Sequence, residues 1–171
     1  MKSVVRFTMA IALLAPIGVM TAMPAGAAAA LTCTTQTGTA TIKPGITPTA
    51  TNVTITVSEK LTGCKGGGIT SGTETASILS KAATCSGLGK KGTKTGPFKG
   101  KITWSNKKTS SFSLTTVSNG LAATATGSVT AGLFVGQKIT TSIAYSLKTG
   151  TCTASSPLTA LTIKGTKPLT I

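Results

Sequence analysis

The clearest alternation of apolar and polar positions runs through Thr51-Asn52-Val53-Thr54-Ile55-Thr56-Val57, with Val53, Ile55 and Val57 on one face and polar residues between them. A period of two is the signature of a β-strand buried on one side. Strands are predicted near residues 39–43, 51–61, 69–79, 98–104, 109–118, 121–130, 138–147 and 160–165. Turn-forming runs separate several of them: Lys43-Pro44-Gly45, Ser105-Asn106-Lys107-Lys108, Ser118-Asn119-Gly120 and the glycine-bounded stretch 132–136. No segment has a helical period. Composition agrees, because residues 31–171 hold 34 Thr and 15 Ser scattered among Val, Ile and Gly, a mixture of strands and turns. About eight short antiparallel strands predict an all-β, two-sheet sandwich, immunoglobulin-like or a related Greek key. A closed β-barrel is the alternative. Trp104 follows Cys85 instead of lying between Cys64 and Cys85, which departs from a true immunoglobulin pattern.

The chain begins differently. Lys2 and Arg6 lead into an apolar run at 7–20 that is short for a membrane span, followed by Pro24 and overlapping A-x-A triplets at 25–27, 27–29 and 28–30. This pattern predicts a secretory signal peptide over residues 1–30, cleaved near 27–30, and a single domain over 31–171. The expected location is extracellular, with association to the cell envelope as an option. Cys33, Cys64, Cys85 and Cys152 are even in number, and no His or Asp follows the leader to complete a metal site with them. Two disulfides are therefore expected. Four cysteines allow three connectivities. The expected one pairs Cys64 with Cys85 and Cys33 with Cys152, the latter two lying near opposite ends of the chain.

Several stretches carry a resemblance: the leader, Cys33-Thr34, Lys43-Pro44-Gly45-Ile46, Trp104-Ser105-Asn106, the run at 127–136 from Gly127-Ser128-Val129 to Val135-Gly136, and the closing Leu169-Thr170-Ile171. In these the chain resembles small secreted, β-rich, disulfide-containing proteins of actinobacteria, a group of unknown function. The resemblance implies export, a β-sandwich and disulfides, and it carries no active site.

Residues 31–171 contain no Asp, His or Arg, and their only acidic side chains are Glu59 and Glu74. That removes most of the groups used for acid/base work, nucleophile activation and metal binding. No cofactor is expected. A carboxylate pair for glycoside hydrolysis would have to be Glu59 with Glu74, and nothing in the sequence places them together. A Lys to Asn isopeptide crosslink assisted by Glu has its ingredients in Asn52, Asn106 and Asn119. The expected function is noncatalytic.

Charge changes the picture most. Taking Lys2 and Arg6 from 17 basic residues leaves 15 Lys, and subtracting two Glu leaves +13 for residues 31–171. Eight of those lysines fall within 81–108: Lys81, Lys90, Lys91, Lys94, Lys99, Lys101, Lys107 and Lys108. If Phe98, Gly100, Ile102 and Trp104 face a core, Lys99 and Lys101 face solvent. Lys90, Lys91, Lys94, Lys99, Lys101, Lys107 and Lys108 are thus candidate anion-binding residues, with anionic cell-wall polymer or a membrane surface as partner. Without Arg and with few aromatic rings, specific nucleic-acid recognition is disfavoured. The competing reading is a passive extracellular protein whose lysines keep sheet edges soluble. Trp104 and Phe134 are expected to pack inward.

Overall fold

The structure, a computed structural model, describes residues 30–171. The predicted signal peptide and its cleavage window lie outside the described residues, except for Ala30. Eight strands follow one another: β1 (Thr32–Ile46), β2 (Thr51–Lys65), β3 (Ser71–Ala83), β4 (Lys94–Trp104), β5 (Thr109–Asn119), β6 (Ala122–Gly132), β7 (Lys138–Thr149) and β8 (Leu158–Thr170). Each pairs antiparallel with the next, and β8 returns to β1 through Gly38 opposite Ile163 and Ala40 opposite Leu161. The result is a closed up-and-down barrel, the alternative named above, and not the expected two-sheet sandwich. Inward and outward positions alternate in the same way in both folds, so the pairing of first with last strand decides between them.

All eight predicted strands are present and most run longer than their apolar cores suggested. Lys43-Pro44-Gly45 is not a turn. Lys43 still pairs with Thr54, and the chain reverses at 47–50 instead. Pro44 falls where the β1–β8 register slips between Thr41 and Ile46, an irregularity that tolerates a residue without an N–H.

The alternation of β2 shows how the wall is built: Val53, Val57, Glu59 and Leu61 are buried inside, while Asn52, Thr54, Thr56, Ser58 and Lys60 face out. An outer face of this kind is the reverse of the apolar band that a transmembrane barrel presents to lipid. One end of the barrel is shut. There Trp104 and Phe134 meet edge to face with ring centroids 5.9 Å apart, and Trp104 Nε1 donates to Ser110 Oγ at 2.7 Å. Both rings pack inward, as expected. A Cβ on Gly72 would lie 2.7 Å from the Trp104 ring, so only glycine lets the indole lie flat against β3. The chain ends close this side too, with Leu31 and Ile171 exchanging backbone hydrogen bonds of 3.0 and 2.9 Å.

Two disulfides form, but their pairing corrects the expected one: Cys33 joins Cys64, and Cys85 joins Cys152. Register is the reason. In an up-and-down barrel the start of β1 lies beside the end of β2, which sets Cys33 directly opposite Cys64 at the shut end. Cys85 and Cys152 sit in the β3–β4 and β7–β8 connections, both at the other end. Distance along the chain carries no information about which end of a barrel a residue occupies.

Candidate functional site

Three features of the barrel carry chemistry: a polar cluster inside it, a cavity in its open end, and lysines on its outer wall. The polar cluster corrects the sequence reading. Glu59 and Glu74 are directly opposite each other on β2 and β3, and both side chains are buried within the barrel. Gln36, from β1, links them to the far wall. Its Nε2 donates to Glu59 Oε2, and its Oε1 accepts from Thr141 Oγ1 of β7 at 2.8 Å.

Burial sets the protonation of this cluster. Removal from water raises the Glu59 carboxyl above its ordinary value, and the Gln36 hydrogen bond partly offsets that rise. Glu74 is pushed up to about 8, first by burial and then by the charge of Glu59 beside it. Two carboxyls in one apolar enclosure do not both ionise readily, so Glu74 keeps its proton at neutral pH. Tyr145, on β7 beside them, is raised to about 12 by burial and then by Glu59. The void among these groups is about 60 Å³, room for a few water molecules and not for a sugar ring. The pair can hold a proton at neutral pH; it has no space for a glycoside.

Above the cluster the barrel opens. A cavity of about 310 Å³ occupies the end where β3 meets β4 and β7 meets β8. Its walls are largely apolar, from Ile46, Ile55, Val57, Ile78 and Leu161, with Leu88 of the β3–β4 connection across the top. Val57, Ile78, Thr116 and Tyr145 line both this cavity and the void below, so Tyr145 stands at the boundary between them. Lys81 and Lys90 stand on the rim. Leu79, Val117, Leu121 and Leu147, four large apolar side chains left exposed, lie near the same end.

The candidate lysines form a line and not a compact patch. Lys90 and Lys91 lie in the β3–β4 connection at the open end, Lys94 begins β4, Lys99 and Lys101 face out along its middle, and Lys107 and Lys108 occupy the turn at the shut end. All seven are exposed. Their cross-strand neighbours are uncharged: Lys99 lies between Ser77 and Ser113, and Lys101 between Thr75 and Ser111. Asn52, Asn106 and Asn119 are exposed, the first two accepting backbone hydrogen bonds from Ala82 and Lys108, whereas Glu59 and Glu74 are buried inside the barrel. The ingredients of an isopeptide crosslink are therefore not brought together.

Sequence reasoning missed Glu59 and Glu74 as a pair, with Gln36 and Thr141 as their partners. A signal for Glu59 was present, since it continues the series Val53, Ile55, Val57 by two residues and so belongs to the inner face. Comparison of the chain with protein-family models, with curated proteins and with solved structures returned no match.

Proposed function

We propose that this is an exported, noncatalytic binding protein that associates with anionic cell-envelope polymers through the lysines along β4. One observation carries the reading: both acidic side chains of residues 31–171 are inside the barrel, and all 15 lysines are exposed on its outside. An outer surface selected for solubility mixes charges of both signs. This one carries a single sign, and its field extends toward anions without a local counter-charge. Closure of the barrel also weakens the passive reading. β4 is paired on both sides, so Lys99 and Lys101 have no open edge to protect.

Phosphate-bearing or carboxylate-bearing wall polymers fit this surface, because a line of ammonium groups with Ser and Thr between them matches repeating charge and demands no particular sequence. Two disulfides accord with an oxidising compartment. The experiment is cosedimentation of the protein with bacterial envelope fragments, intact or stripped of anionic polymer, across a salt series. Retention is expected to fall steeply with salt, to vanish on stripping, and to be lost when Lys90, Lys91, Lys94, Lys99 and Lys101 are all replaced by Glu. No retention at low salt would leave the passive extracellular protein as the better reading.

A further inference from the structure

The polarity of the barrel changes along its axis. Its floor is acidic, with Glu59 and Glu74 buried side by side; its upper walls are apolar; its rim is basic, with Lys81 and Lys90. A cavity of about 310 Å³ lies between floor and rim, at the lower limit of the size that holds a small organic ligand.

We propose that this cavity binds a single-chain aliphatic carboxylate, with its hydrocarbon tail in the barrel and its head group at Lys81 and Lys90. Three observations bear on the choice of ligand. The wall between floor and rim offers aliphatic side chains, Ile46, Ile55, Val57, Ile78 and Leu161, which suit a flexible chain. The rim supplies ammonium groups where the head of an inserted chain would emerge, whereas the residues around the void below include no cation to receive an anionic head. Insertion is thereby oriented. Leu121, exposed and lining the cavity, gives the tail an apolar surface to meet before it enters. A cationic amphiphile would meet like charge at a mouth carrying Lys81 and Lys90.

The site does not depend on the polymer reading: it shares Lys90 with the polymer surface, but its tail site is inside the barrel, and Lys81 and Ile78 belong to it alone as Lys99 and Lys101 belong to the outer wall. The two can fail separately. The test is isothermal titration of the disulfide-intact protein with butyrate, octanoate, decanoate and dodecanoate below their micelle concentrations, beside decylamine as the opposite charge. Expected is one saturable site per chain, with affinity rising about fourfold for each added methylene until the cavity is filled. Replacing Lys81 and Lys90 together by Gln is expected to weaken decanoate about tenfold. Ile78→Trp, which fills the cavity, should abolish saturable binding while leaving polymer retention intact. The exposed Lys81 and Lys90 variant keeps the test decisive if the tryptophan variant does not fold. Lys99→Gln with Lys101→Gln should leave decanoate unchanged. Decylamine binding as tightly as decanoate, or decanoate heats that lack a saturable site, would overturn the proposal.

Discussion

The two ends of the barrel are built from the same eight strands and differ in almost every other respect. At the shut end, Trp104, Phe134, Leu31 and Ile171 fill the cross-section, and the Cys33–Cys64 bridge ties neighbouring strands where they already pair. At the open end a cavity of about 310 Å³ remains among largely apolar side chains, and the Cys85–Cys152 bridge ties two connections instead of two strands. An eight-stranded barrel is just wide enough for side chains to fill. Two aromatic rings are therefore enough to plug one end, and their absence leaves room at the other. Stability and binding space are divided between the ends.

The largest effect is expected from removing the plug. Trp104→Ala should lower the unfolding free energy by about 3–5 kcal/mol, while Ile55→Ala at the mouth, where one side already faces space, should lower it by about 1 kcal/mol. Guanidinium midpoints of the two variants compare the ends directly, and equal losses would mean that the shut end does not anchor the fold. A smaller effect, about 3 kcal/mol, is expected for either disulfide when both of its cysteines become Ser. The difference lies in where the structure loosens. Loss of Cys85–Cys152 should speed amide exchange across 84–93 and 150–157, whereas loss of Cys33–Cys64 should leave those connections protected.

The effect that is smallest per step, though it accumulates across several pH units, concerns the carboxyls between the ends. Glu59 and Glu74 are both raised in the folded chain, so the folded state holds their protons more tightly than the unfolded chain does. Their contribution to stability is thus complete below the ordinary carboxyl value of 4.5 and is lost as pH rises, that of Glu74 through about 8. Urea midpoints should be higher near pH 4.5 than just above pH 8, with a slope of roughly 1 kcal/mol for each pH unit in that window. Glu74→Gln, neutral throughout, should flatten the slope. A midpoint that rises with pH would show that the pair is not enclosed as described.

Local patterns made most of the wall legible in the sequence. Alternation placed all eight strands, and the turns at 105–108 and 132–136 stand where Asn, Lys and Gly predicted them. Trp104 and Phe134 were readable as core because large rings in a sheet seldom lack a covered face. What could not be read depends on partners distant in the chain. Sandwich and barrel differ by the β1–β8 pairing, which leaves no mark on either strand. The disulfides follow from which end each cysteine reaches, and that is fixed only once the barrel closes. Glu59 and Glu74 were not placed together because their meeting depends on the β2–β3 register, although the inner series of β2 passes through Glu59. The seven lysines were legible as a cluster but not as a line, since their spread along the barrel follows from the length and direction of β4.

The seam between β1 and β8 has a consequence for how the chain reaches this state. Seven of the eight strand pairings join neighbours in sequence and can form as hairpins, one after another. The eighth joins the first strand to the last and must wait until nearly the whole chain is in place. Contacts of such long sequence separation dominate folding rates, so this one closure is expected to set the pace of folding. Until it happens, β1 and β8 are open templates, rich in Thr, on which another nascent copy could pair. The uniform positive charge of the outer wall acts during that interval as well, holding incomplete barrels apart until each has sealed its own seam.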